Sequence, residues 1–134
     1  MQYFIAYVAS AIVFFGLDLL WLGVVAKGFY ARQLGDLLSD QPNMAVAGLF
    51  YAGYVGGIVL FAVAPALQAQ SWTTALVLGV FLGLMAYGTY DMTNLATIRN
   101  WPVAMSAVDM LWGSVLTGIA ASAGFFAVRW SGTG

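Results

Sequence analysis

The chain has no cysteine and no histidine, and it carries few charged residues. Without cysteine it cannot form disulfides, bind metals through thiolates, attach haem or use a cysteine nucleophile. Without histidine it lacks the commonest metal ligand and the usual proton shuttle. We therefore predict no metal centre and no cofactor. The net charge of −1 gives no support for nucleic-acid binding.

Charged residues make up only 7% of the 134 residues, whereas 63% are hydrophobic and the mean hydropathy is +0.91. Soluble domains carry roughly a quarter charged residues, so this composition cannot cover a water-facing surface. Four apolar runs are each long enough for the roughly 20 residues that cross a bilayer. We predict an all-α integral membrane protein, a single transmembrane domain over residues 1–134, with helices at about 3–26, 45–67, 73–98 and 103–128.

The only long polar connection lies between the first two runs, over residues 28–44. Leu34, Leu37 and Leu38 have helical spacing there, which is compatible with a short interfacial helix or with a solvated loop. Residues 41–43, Gln-Pro-Asn, predict its end and the entry to the second membrane helix.

Three of the four runs each carry one carboxylate: Asp18, Asp91 and Asp109. We call side B the membrane surface at which the first helix ends, and side A the opposite surface. Counted from the side-B ends of their helices, the three carboxylates are roughly 10 to 12 Å deep at about 1.5 Å per residue. The sequence therefore predicts three acids at one depth in the side-B half of the bundle.

A carboxylate at that depth costs several kcal/mol unless it is paired, hydrated or protonated. Such a cluster suits the binding of a proton, a cation or a polar headgroup, but it also suits hydrogen bonds that hold neighbouring helices together. The candidates for ligand or proton binding are the acids with the polar and aromatic residues expected beside them: Asp18, Asp91, Asp109, Asn94, Tyr51, Tyr54, Tyr87, Trp21 and Trp112.

Glycine pairs at small-xxx-small spacing predict close helix packing. One pair is Gly53 and Gly57 in the second helix, and the other is Gly79 and Gly83 in the third. Aromatic residues near the span ends predict interfacial belts. These are Tyr30, Trp72, Trp101 and Trp130.

Basic residues near the span ends predict the orientation. Lys27, Arg32 and Arg99 lie on side B, and Arg129 lies alone on side A. The positive-inside rule then places side B in the cytoplasm and both termini in the periplasm. The three side-B cations are also candidates for binding a lipid headgroup.

Three segments carry a family resemblance: LDLLWLG with a following FY, the block YDMTNLATIRNWP at residues 90–102, and DMLWG at 109–113. With them the chain resembles a domain-of-unknown-function family of small bacterial inner-membrane proteins with four helices. The resemblance covers nearly the whole chain. It implies a fold and a membrane location, and it brings no catalytic residues.

Three functions remain open from the sequence. The first is a small transporter or binding protein, expected as a homodimer, whose acids bind protons, cations or a small polar or amphipathic substrate. The second is a lipid-binding or lipid-modifying factor in which paired carboxylates hold a metal and a headgroup. The third is an accessory subunit of a larger membrane complex, in which the acids are structural.

Overall fold

In the computed structural model, which describes residues 1–37 and 43–132, these residues form helices and short turns without any strand. Four helices are long and apolar enough to cross a membrane: α1 (Gln2–Val25), α3 (Met44–Ala69), α4 (Trp72–Thr97) and α5 (Val103–Ser131). A short helix, α2 (Lys27–Leu34), follows α1. The prediction of an all-α, four-helix membrane fold is confirmed.

Helix boundaries follow local chemistry. The Asn43 side chain accepts a hydrogen bond from Val46 N at the start of α3, and Ser71 accepts one from Thr74 N at the start of α4. Such caps satisfy amide groups that have no partner within the helix. Helix α3 continues past Pro65, whose missing N–H is accommodated by the π-helical turn Val59–Val63 immediately before it.

The polar connection forms α2 and then a 3₁₀ turn over Gly35–Leu37. Gly35 ends α2 with a positive φ of 54°, a conformation that glycine adopts without steric cost. The part of the predicted connection that includes Leu38 and the residues 41 and 42 lies outside the described residues.

In the side-A half, α4 and α5 pack at very short range. A Cβ atom added at Gly79 would lie 2.9 Å from Gly118 Cα, and one at Gly83 would overlap the α5 backbone at Gly113. The predicted close contact at the third helix is thus confirmed. The same prediction for Gly53 and Gly57 is wrong, because nothing lies within 4 Å of a Cβ added at Gly53, and a Cβ added at Gly57 meets only the Phe61 side chain of its own helix.

In the side-B half, the bundle is open. Within α3, the residues from Met44 to Tyr54 are exposed or half-buried, and the first buried one is Val55. This half of α3 therefore packs less closely against the bundle than the half beyond it. The open side is where the three aspartates were predicted to lie.

Of the four aromatic residues predicted to lie at the membrane interfaces, two do so and two point into the protein. Trp72 and Trp130 are exposed at side A, as a belt requires. Trp101 is instead buried and donates to Ser106 Oγ at 2.9 Å, and Tyr30 turns into the bundle. Both residues satisfy a polar group inside the protein, which outweighs their preference for the interface.

Candidate functional site

Asp18, on α1, is hydrogen-bonded to one member of an aromatic pair that connects α1 to α5. Its Oδ1 atom accepts a hydrogen bond from Trp112 Nε1 at 3.2 Å. The Trp112 ring stacks on Trp21, with centroids 4.4 Å apart and planes 8° from parallel. An aromatic contact of this kind contributes about 0.5–1.5 kcal/mol beyond its buried area. Asp18 is buried with a donor in place, so its environment is that of a structural residue.

Asp109 receives a hydrogen bond from the helix that follows α1. Tyr30, on α2, donates to Asp109 Oδ1 at 2.9 Å and accepts from Trp21 Nε1 at 3.1 Å. Burial raises the pKa of the Tyr30 hydroxyl, against a smaller opposing effect of the Trp21 N–H. The hydroxyl therefore stays protonated at neutral pH and remains a donor. These bonds hold α2 over the side-B end of the bundle.

Asp91 has no such donor. Its side chain is fully buried, and neither carboxyl oxygen accepts a hydrogen bond from any N–H or O–H of the described residues. Its polar neighbour is the carboxyl group of Asp109. Two carboxyl groups can be joined only by a proton or another cation, since neither ionised group can donate. Asp91 and Asp109 thus form a pair that lacks a positive partner.

Asp109 also lines a cavity of about 640 Å³ in the open side-B half. The cavity is bounded by the end of α1, by α2, by the first half of α3, by the second half of α4 and by the first turns of α5. Its lining is aromatic and aliphatic, with one carboxyl group: Leu22, Tyr30, Leu34, Phe50, Tyr51, Tyr54, Ala86, Tyr87, Tyr90, Met105 and Asp109. Clefts of roughly 300–1,000 Å³ are typical of small-molecule sites.

The polar groups of the cavity wall are all acids or hydroxyls. Tyr54 shares a hydrogen bond with Thr117 at 2.8 Å. The hydroxyl of Tyr87 is buried and has no partner among the described residues. None of the chain's four basic residues is on the wall. The electrostatic character of the cavity is therefore that of a carboxyl group surrounded by aromatic rings.

Toward side A the bundle is closed. Ser10 Oγ donates to the Ala120 carbonyl at 2.9 Å, and the Thr117 hydroxyl shares a hydrogen bond with the Tyr54 hydroxyl. Around them lies a continuous apolar core that includes Phe14, Ile58 and Leu116, each with no exposed surface. The cavity thus has no polar continuation through the described residues of the side-A half.

The predicted residues separate into distinct positions. Tyr51, Tyr54, Tyr87 and Asp109 line the cavity, and Asp91 lies behind Asp109. Trp21, Trp112 and Asp18 form the adjoining hydrogen-bonded group. The half-buried Asn94 is not on the wall. Lys27, Arg32 and Arg99 are exposed and also off the wall.

Sequence reasoning missed several wall residues. Tyr90 could have been found, because it lies three residues after the predicted Tyr87 on the same side of the helix. Tyr30 could not, since only the return of α2 over the bundle brings it to Asp109. Among the described residues, no group of three or more acidic side chains is arranged to hold a metal ion.

A family model described as "Predicted membrane protein (DUF2177)" matches residues 3–126 of the chain. No curated protein and no solved structure matches the chain.

Proposed function

The chain belongs to this family of predicted membrane proteins (DUF2177), and from its site we propose that it binds a small amphipathic molecule within the membrane. The ligand would occupy the side-B cavity, with its polar end at Asp109 and its apolar part among the rings of α3 and α4. The Asp91–Asp109 pair is the polar end of this binding site.

The observation that carries the proposal is the position of Asp91 beside a second acid. A buried polar group without a partner costs several kcal/mol when it is charged, so a purely structural acid is expected to have donors. Asp18, in the same bundle, has one in Trp112. Asp91 is the more deeply buried of the two, and its polar neighbour is Asp109, to which it can donate only while it is protonated. Acids kept in this state within a membrane protein are typical of ligand and ion sites.

The shape of the cavity supports binding rather than passage. Transport by alternating access requires the same site to open to each side in turn. Here the site adjoins side B, and the side-A half is filled by the apolar core around Phe14 and Leu116. We therefore propose a binding protein as the first function. A transporter would need a second conformation in which this core separates.

A structural role is the second candidate, and one observation favours it. The Trp21–Trp112 stack, together with the bonds to Asp18 and from Tyr30 to Asp109, connects α1, α2 and α5. This part of the cluster has the construction of a scaffold. An accessory subunit of a larger complex would need no ligand in the cavity.

We also propose a location. The exposed Lys27, Arg32 and Arg99 are all at side B, which by the positive-inside rule is the cytoplasmic face of a bacterial inner membrane. Both termini would then be periplasmic. A homodimer or larger assembly would bury part of the exposed apolar surface, which otherwise contacts lipid.

The test uses three short amphiphiles with one octyl chain and different head groups: octyltrimethylammonium, octanol and octanesulfonate. Binding to the purified protein in lipid nanodiscs is measured by equilibrium dialysis. We expect saturable binding of at least one of them, abolished by Ala86→Trp, which fills the cavity. Ala104→Trp, at an exposed position of α5, is the matched control and should bind as the parent does. If no probe binds saturably, or if the blocking variant binds equally well, the proposal fails.

A further inference from the structure

We propose that the ligand of the side-B cavity is an organic ammonium ion: a cationic nitrogen with an apolar substituent. This inference rests on the proposed function, because it names the chemical class of the molecule bound there. Four observations support it: the acid on the wall, the aromatic rings, the second acid behind the wall and the absence of basic residues from the described lining.

Charge complementarity excludes an anionic head group. The titratable groups that face Asp109 are the acids Asp18 and Asp91 and the tyrosines of α2, α3 and α4. The basic side chains Lys27, Arg32 and Arg99 are exposed and off the wall. A phosphate or carboxylate in this cavity would meet a carboxyl group at close range without a compensating cation. A positive ligand would instead supply the partner that the Asp91–Asp109 pair lacks.

The aromatic wall selects an organic cation over a simple metal ion. Tyr51, Tyr54, Tyr87 and Tyr90, together with Phe50, contribute aromatic rings, and therefore ring faces and edges, to the wall that also carries Asp109. Cations bind to such faces with about 0.5–2 kcal/mol each, and ammonium groups surrounded by aromatic residues are a recurrent use of this interaction. A small inorganic cation requires several oxygen ligands, whereas this wall is mostly carbon. A cavity of about 640 Å³ also leaves room for an apolar substituent.

Tyr87 contributes one ring whose position in the wall is fixed. The ring packs directly on Gly113, where an added Cβ would overlap it. Its hydroxyl is buried, so a ligand in the cavity contacts the ring and not the oxygen. Asp109 is therefore the polar partner of the ammonium group, and the ligand class includes amines as well as quaternary ammonium ions.

The experiment compares the same three octyl probes by head group. We expect octyltrimethylammonium to bind the parent protein at least tenfold more tightly than octanol or octanesulfonate. Asp109→Asn should weaken ammonium binding at least tenfold, whereas Asp36→Asn, at an exposed acid of the 3₁₀ turn, should leave it unchanged.

Two substitutions of one exposed ring provide a test that does not depend on the buried acids. Tyr90 is 47% exposed, so its replacement opens no core cavity. Tyr90→Phe keeps the ring face and should preserve ammonium affinity. Tyr90→Leu removes it and should weaken binding roughly two- to thirty-fold, as expected for one cation–π contact.

The outcomes distinguish the two proposals. If octanol or octanesulfonate binds as well as the ammonium probe, and Ala86→Trp abolishes that binding, the ammonium assignment is wrong and the proposed function stands. If none of the three probes binds, both are wrong. Equal ammonium affinities for Tyr90→Phe and Tyr90→Leu, or for the parent and Asp109→Asn, would also overturn the ammonium assignment.

Discussion

Asp91→Asn should stabilise the protein, which is unusual for a change at a fully buried polar position. In the parent, both carboxyl oxygens of Asp91 lack a donor, and the carboxyl group of Asp109 is the neighbouring group. Asparagine has nearly the same shape and removes one of the two acids. Its amide N–H₂ can also donate to Asp109 without a proton being held between two acids.

The size of the effect follows from the cost of the buried Asp91 carboxyl group, which the substitution removes. A buried polar group without a hydrogen bond costs about 1–3 kcal/mol, and more when it is charged. We therefore expect Asp91→Asn to raise the free energy of unfolding by about 1–3 kcal/mol. Asp18→Asn should instead change it by no more than about 1 kcal/mol, because an amide oxygen can accept the bond from Trp112 Nε1 that the carboxyl oxygen accepts.

The assay is reversible unfolding of the purified protein in mixed micelles of increasing SDS content, followed by far-UV circular dichroism. Asp36→Asn serves as the matched control, since this acid is exposed and its change should stay within about 0.5 kcal/mol. A loss of more than about 1 kcal/mol in Asp91→Asn would contradict this prediction, because it would mean that the carboxyl group makes a stabilising contact.

Two further predictions use the same unfolding assay. Gly113→Ala should lower the unfolding free energy by about 1–3 kcal/mol, since its Cβ would overlap the Tyr87 ring. Gly53→Ala is the control, because nothing lies within 4 Å of the added Cβ, and it should raise the unfolding free energy by up to about 1 kcal/mol. Equal effects of the two substitutions would contradict the close contact between Gly113 and Tyr87. Tyr30→Phe should lower it by about 1–3 kcal/mol because Asp109 loses its donor; an unchanged value would show that the Tyr30–Asp109 bond contributes nothing.

The membrane fold could be predicted because it depends on the average hydropathy and charge of long segments. Four apolar runs and scarce charge require four spanning helices, whatever their detailed packing. The common depth of Asp18, Asp91 and Asp109 was predicted from residue counts along helices of known rise. In the structure Asp18 and Asp109 are connected through contacts of Trp112, Trp21 and Tyr30.

The division of roles within the cluster could not be predicted. Asp18 and Asp91 are equivalent by sequence, each one acid within an apolar run, yet only Asp18 faces an indole N–H. That difference depends on how each helix is rotated about its own axis. Because apolar residues lie on every side of these helices, the sequence pattern does not determine that rotation. The position of Tyr30 depends on the path of α2, which no periodicity in the polar connection specifies.

The Gly53 prediction failed for a related reason. Small-xxx-small spacing permits close approach but does not provide a neighbouring helix. Gly79 has one, because α5 lies against it, whereas Gly53 lies in the half of α3 that is open. The same opening creates the cavity, so the residue pattern that suggested packing lies beside the candidate binding site.

The absence of cysteine allows the central claim to be tested at one atom. Ala86→Cys places a single thiol on the cavity wall. Its modification rate is measured with two methanethiosulfonate reagents of similar size, one carrying trimethylammonium and the other sulfonate. We predict faster reaction with the cationic reagent, and loss of that preference when Asp109→Asn is added. Equal rates in the single-cysteine protein, or a preference for the sulfonate, would contradict a cation-selective site beside Asp109.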